Sequence, residues 1–322
     1  MNRLAYLRAS SLEEAKQALA LPGSIALAGG TTVVDLAKLG AMKPDLLVDI
    51  GGLAGLDAVR VDAGRLHIGA LARMADVSRN ADVLRLAPAI AESIERAASG
   101  QIRNMATIGG NILQRTRCAY FRDASTYAAC NRRTPGSGCA AIGGVTPNHA
   151  ILGATDACMA TYPGDLAIVL AALDATVHTD MRDVALVDLF AEAGSGRETV
   201  LADDEIITAV SVAADAGAAR SSYLKLRDRQ SYEFAAVSVA LAVDLTGNGP
   251  QIRVAVGGVA TKPWRLPSVE AVLRAGPPTR ARIAEAAATA AGDARSTPDN
   301  HFKIRLLTRT LERALLTALD LS

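Results

Sequence analysis

The chain has 322 residues, with 34 Lys and Arg against 33 Asp and Glu and a formal net charge of +1. That balance gives no electrostatic footprint for nucleic acid or an anionic membrane surface. Half the residues are hydrophobic, mostly small and aliphatic, and only 3% are aromatic, which excludes a disordered chain and suits a well-packed α/β or α+β protein of two domains.

In chain order, Met1 to Arg8 lacks the apolar core and cleavage site of a secretory signal, so no self-directed export is expected. Ser11-Leu12-Glu13-Glu14 is a capping-box start for a helix to about Leu19. Ile25 to Leu27 reads as a strand, Thr32 to Leu39 as a helix and Leu46 to Ile50 as a strand, a βαβ-like beginning. Val59 to Leu71 predicts a hairpin about Asp62-Ala63-Gly64, followed by a helix over Ala87 to Ala98. The chain is then glycine-rich and irregular to about Tyr162. Asp165 to Leu173 predicts a helix whose apolar run is far too short to span a bilayer, so no membrane insertion is expected. Strand-like runs continue to Ala213, and the small-residue stretch Ala214 to Ala219 suggests a domain boundary at 215/216. Beyond it, strands at Tyr223 to Leu226, Ala235 to Leu245 and Ile252 to Val259 precede helices at Val269 to Arg274, Arg280 to Ala291 and His301 to Leu319. A sheet followed by helices is the order of an α+β domain.

Two glycine turns stand out. Leu27-Ala28-Gly29-Gly30-Thr31-Thr32 lies between a strand and a helix, where paired glycines, backbone N–H groups and hydroxyls can cradle phosphate oxygens. A tight turn with Thr as N-cap accounts for it equally well. It is neither a Rossmann fingerprint nor a Walker motif. Thr107-Ile108-Gly109-Gly110-Asn111 is a second turn of this type, and the two together could grip a dinucleotide pyrophosphate. Asp165 could contact a ribose or base, or simply favour the first turn of its helix. Lys225 and Arg229 could put positive charge beside a redox ring, or lie on a solvated face.

The four cysteines, Cys118, Cys130, Cys139 and Cys158, all fall between positions 118 and 158, among Arg115, Arg117, Arg122, Arg132 and Arg133. Their gaps of eleven, eight and eighteen residues disfavour structural zinc. Two disulfides or an iron-sulfur cluster held by all four thiolates remain open, the latter with arginines to offset its charge. His67, His149, His178 and His301 have no metal-ligand spacing and read as structural or surface residues. No nucleophilic elbow or carboxylate pair is present, so the chain is expected to bind redox groups without performing acid-base chemistry on a substrate.

These motifs, together with Tyr162-Pro163-Gly164-Asp165, Glu205-Ile206-Ile207, Lys225-Leu226-Arg227-Asp228-Arg229 and Val256-Gly257-Gly258-Val259, resemble in order and extent the FAD-binding medium subunit of the xanthine dehydrogenase and molybdenum hydroxylase family. The resemblance implies an α+β chain: a two-lobed FAD-binding domain of the vanillyl-alcohol-oxidase (PCMH) type over 1–215 and a small C-terminal domain of the CO dehydrogenase flavoprotein type over 216–322. It implies that Leu27 to Thr32 and Thr107, Gly109, Gly110 and Asn111 hold the FAD pyrophosphate. Asp165 would sit at the ribose or adenine side, Ile207 near the ring system and Lys225 near the flavin.

About fifty residues, 112–162, separate Asn111 from Asp165, where most such subunits have only a few. That insertion resembles the FAD and [4Fe-4S] subunit of bacterial periplasmic aldehyde oxidoreductases, in which the four cysteines would hold the cluster. Implied partners are a large molybdenum-cofactor subunit and a small [2Fe-2S] subunit in a heterotrimer, with an external electron acceptor. Assembly would be cytoplasmic, with periplasmic delivery through a partner's twin-arginine signal. Another hydroxylase type, such as CO dehydrogenase or hydroxybenzoyl-CoA reductase, or a non-redox nucleotide-binding module stapled by zinc or disulfides, is the alternative.

Overall fold

The computed structural model describes residues 4–247 and 249–321. Its first sheet is parallel, with β1 (Ala5–Arg8), β2 (Ser24–Leu27) and β3 (Leu46–Asp49) in the order β1-β3-β2. β1 was not expected from the sequence. It is an edge strand whose residues are mostly exposed, so it has no apolar alternation to read. The helix Leu12–Leu19 begins at Ser11, whose Oγ accepts the Glu14 N–H at 3.1 Å. The reciprocal bond comes from the Ser10 amide, 2.7 Å from the Glu14 carboxylate, one residue earlier than a capping box requires.

The second sheet is antiparallel. It orders β4 (Val59–Asp62), β5 (Arg65–Gly69), β6 (Thr176–Thr179), β7 (Asp183–Ala185) and β8 (Ile207–Ala213) as β4-β5-β8-β6-β7. The β4–β5 hairpin closes through Ala63 and Gly64 at φ 46° and 72°, the paired positive φ of a two-residue turn matched to strand twist. The helix expected over 87–98 is present as Pro88–Glu95, and a separate helix, Ala81–Leu86, precedes it. Proline disfavours helical geometry in the residue before it, and Ala87 takes φ −154°, ψ 65°.

The third sheet, β9 (Ser221–Leu226), β10 (Val237–Asp244), β11 (Gln251–Gly257) and β12 (Trp264–Arg265), is antiparallel in the order β12-β11-β10-β9. Alternation on these strands serves two cores. Tyr223, Ala240, Ala242 and Ala255 join the large core shared with the second sheet. Val239, Leu241, Val254 and Val256 pack with Leu307 and Leu311 of the closing helix Phe302–Ala318. The stretch 214–219 is not an open break. It holds a helical turn, Ala216–Ala219, capped by Asp215, which accepts the Ala218 N–H at 2.7 Å. The helix Leu166–Ala172 is apolar all round and wholly buried, as a helix between layers must be.

The segment 112–162 has one helical turn, Ala119–Arg122. Backbone turns and side chains together hold the rest: Arg133 donates to the carbonyls of Tyr120 (2.5 Å), Phe121 (2.6 Å) and Tyr127. Lys303 and Asn300 donate to the His149 carbonyl, tying the segment to the C-terminal helix. Phe121 and Cys130 form a small core with Leu36 and Ala41, which lie in and just after the helix Val33–Lys38 beyond the first glycine turn. Among the described residues no helix is long and apolar enough to cross a membrane.

Candidate functional site

Both glycine turns open into one pocket of about 250 Å³. Ala28, Gly29, Gly30, Thr31 and Thr32 form one wall, and Thr107, Gly109 and Gly110 form the other. Ile207, at the start of β8, closes the pocket together with Glu205 and Ile206. The glycines have distinct reasons. A Cβ on Gly29 would lie 2.0 Å from the Met105 carbonyl oxygen, so this glycine lets the two turns touch. Gly30 sits at φ 71°, with nothing within 3.4 Å of a built Cβ, so its requirement is conformational.

Thr107 Oγ1 accepts the Gly110 N–H at 3.3 Å and caps the turn Ile108–Ile112. Thr32 makes no side-chain cap bond. Among the described residues, no hydrogen bond within the protein uses the amides of Gly29, Gly30, Thr31 or Thr32. A half-buried loop with four unmatched donors fits a multiply charged phosphate group. The donors therefore fit the group the sequence resemblance implies.

Leu27 ends β2 just before this wall, its Cδ1 beneath Gly30. Asn111 lies within the second turn but does not line the pocket; its Oδ1 is buried without a donor, and its Nδ2 lies 3.4 Å from Met74 Sδ. Asp165 and Lys225 are also absent from the lining. They are paired with each other, Nζ to Oδ2 at 2.8 Å, and Tyr223 donates to Asp165 Oδ1 at 2.5 Å. Burial pushes the Asp165 carboxyl up, against the opposing pull of Lys225 and Tyr223. Each of these two charges is satisfied by the other, outside the lining of this pocket.

Glu205 carries the clearest electrostatics. Its carboxylate accepts from Arg182 (3.0 Å), Thr179 Oγ1 (2.9 Å) and the Ala202 N–H (2.9 Å). Arg182 chiefly, with Ala202 and Thr179 and against burial, holds it down at about 2. Pocket residues that turn motifs do not reveal include Met42, Ala70, Leu71, Leu113 and Arg115. Of these, only Arg115 carried a signal, as one of the arginines near the thiols.

The four cysteines line a second, small cavity. All are free thiols, so neither disulfide pairing is made. Cys130 and Cys139 face each other across an isolated antiparallel bridge. Ala129, Ala140, Ala141, Ala157 and Ala160 supply much of the remaining wall. Among the described residues, no three His, Cys, Asp or Glu are placed to hold a single metal ion. Four soft sulfurs lining one alanine-walled space are a donor set of the kind soft metals take.

Cys118 Sγ lies 3.3 Å from His149 Nε2. His149 is thus buried at the thiols, a placement its sequence spacing did not show. Burial, countered by the Phe121 and Tyr120 amides, pushes the Cys118 thiol up to about 11. Cys158 Sγ accepts from Arg132 Nε at 3.2 Å. A larger cavity of about 560 Å³, lined by Arg117, Tyr120, His149 and Phe234, adjoins Cys118.

Comparison with known proteins places this geometry. Residues 2–214 match the FAD binding domain in molybdopterin dehydrogenase, and residues 222–318 match the CO dehydrogenase flavoprotein C-terminal domain. The aldehyde oxidoreductase FAD-binding subunit PaoB of Escherichia coli is 42% identical over 99% of both chains. The glyceraldehyde dehydrogenase medium chain of Sulfolobus acidocaldarius is 29% identical over 82% of this chain and 79% of that one. The fold matches a carbon monoxide dehydrogenase chain from Hydrogenophaga pseudoflava with a TM-score of 0.76 at 22% identity, over 99% and 98% of the two chains. The chain belongs to the family of FAD-binding medium subunits of molybdenum hydroxylases.

Proposed function

We propose that the chain is the FAD- and [4Fe-4S]-carrying electron-transfer subunit of a heterotrimeric, molybdenum-dependent aldehyde oxidoreductase. The observation that carries this reading is its 42% identity, end to end, to a subunit of an aldehyde oxidoreductase. As an oxidoreductase subunit it needs no acid or base of its own. Substrate oxidation would belong to a large molybdenum-cofactor partner. Electrons would arrive through [2Fe-2S] centres of a small partner and leave to an external acceptor.

FAD, when bound, supplies one- and two-electron chemistry; the residues place it. The amides of Gly29 to Thr32 and the hydroxyls of Thr31, Thr32 and Thr107 would bind the pyrophosphate, with Leu27 and Ala28 shaping that wall and Gly109, Gly110 and Asn111 the other. Ile206 and Ile207 would exclude water from the ring system. Asp165 and Lys225 would contribute at the ribose and flavin only by opening their mutual pair. Cys118, Cys130, Cys139 and Cys158 would ligate the cluster. The FAD domain would span 1–215 and the C-terminal domain 216–322. Cytoplasmic assembly followed by co-export with a partner bearing a twin-arginine signal completes the proposal.

Anaerobic purification with absorption spectroscopy and iron analysis tests it. Flavin bands with about four irons per chain are expected for a cluster of that type. Zinc without flavin would overturn the reading.

A further inference from the structure

Between the glycine-lined pocket and the cysteine cavity lies a continuous chain of charged contacts. Arg132 donates through Nε to Cys158 Sγ at 3.2 Å, and its Nη1 is paired with Glu198 Oε2. The other Glu198 oxygen, Oε1, lies 2.8 Å from Arg115 Nη2. Arg115 in turn donates to the Arg132 carbonyl at 3.0 Å and lies 4.9 Å over the Phe121 ring. Arg115 lines the first pocket and Phe121 lines the cysteine cavity. All three charged side chains are largely buried, from 15% to 29% exposed.

One carboxylate thus holds two guanidiniums, one at each site. Each guanidinium takes one oxygen of the carboxylate in a charge-assisted bond, so a displacement of one arginine is passed to the other through the shared acid. Arg115 also keeps a donor in reserve: its Nε is buried without an acceptor. That unmatched donor belongs to a side chain that lines the pocket.

We propose that Glu198 is a positioning residue that couples the two sites, so that the state of Cys158 sets how well Arg115 is placed for the pyrophosphate of FAD. The inference rests on the FAD and cluster assignments above. When Cys158 is a metal-bound thiolate, its charge anchors Arg132, which holds Glu198, which in turn fixes Arg115. Without that charge the Arg132–Cys158 contact is weaker, Arg132 is held less firmly and the pocket is less preorganised. Cluster and FAD then favour each other, and by linkage the effect is reciprocal.

The test is the FAD dissociation constant of the full-length chain, read by flavin fluorescence, in iron- and sulfide-reconstituted and in chelator-stripped protein. Iron loading should tighten FAD by about fivefold or more in the wild type, the lower end of ordinary coupling. In Glu198→Gln and, independently, Arg132→Lys, the ratio should fall below about twofold, although each variant alone still binds FAD. A purely structural role would weaken FAD equally in both states and leave the ratio intact. An equal affinity in the two wild-type states, or a ratio that survives in both variants, overturns the coupling. If the chain takes up no iron, the cluster assignment fails separately. Cys158→Ala then decides the coupling: it must weaken FAD, and unchanged affinity refutes it.

Discussion

Lys225 Nζ and Asp165 Oδ2 form an ion pair at 2.8 Å, with side chains only 1% and 5% exposed. Lys225 also donates to the Arg96 carbonyl at 3.0 Å. The pair joins β9 to the first residue before the helix Leu166–Ala172, so it ties the C-terminal sheet to the FAD-binding part of the chain. Removing one partner leaves a buried charge uncompensated. Asp165→Asn or Lys225→Met alone should each cost about 3–5 kcal/mol. The double variant should cost less than the sum of the two, a coupling readable in urea unfolding curves.

Gly29 and Gly30 are adjacent but should respond differently. Alanine at 29 would drive a methyl into the Met105 carbonyl at 2.0 Å, prying the two turns apart. Gly29→Ala should therefore lower stability by about 2 kcal/mol or more and abolish FAD retention on gel filtration. At Gly30 a methyl has room, and the cost is the left-handed conformation, about 1–2 kcal/mol. Gly30→Ala should fold and keep weakened FAD binding, whereas a bulky residue there should block the cofactor. Flavin absorbance per chain separates these outcomes.

The sequence made these turns legible because a glycine pair beside hydroxyl residues has few purposes, and the strands around them alternate clearly. Edge strand β1 was illegible because an exposed strand has no buried face to mark. Asp165 and Lys225 stood out as functional candidates, but their spacing of sixty positions contains nothing to show that they meet. His149 was missed at Cys118 for the same reason: they stand thirty-one positions apart in mostly irregular chain, and anchors such as Arg133 and Lys303 bring the ends together. Pocket residues such as Met42 and Ala70 have no chemical signature; their role is shape.

The cysteine assignment has a direct measurement. Cys139→Ser should remove most cluster iron yet leave FAD bound at saturating flavin, since Cys139 lines the cysteine cavity and not the glycine-lined pocket. Iron and flavin per chain, determined on one preparation, check both halves. Full iron content would exclude Cys139 as a ligand.

The pH response of the pocket wall follows from Glu205. Its folded carboxyl, at about 2, lies below the reference of 4.5, so the unfolded chain takes up its proton first as pH falls. The contribution to stability is full above about pH 4.5 and is lost as pH drops through 2. Glu205→Gln should cost about 2 kcal/mol at neutral pH, the order of hydrogen bonds to a charged group. Because the variant lacks this titration, its stability should fall less steeply than the wild type between about pH 4.5 and 2. Arg182→Met should reproduce both effects, since Arg182 is the main cause of the depression. Denaturant unfolding at several pH values reads the slope; parallel curves for wild type and Glu205→Gln would place the acid sensitivity elsewhere.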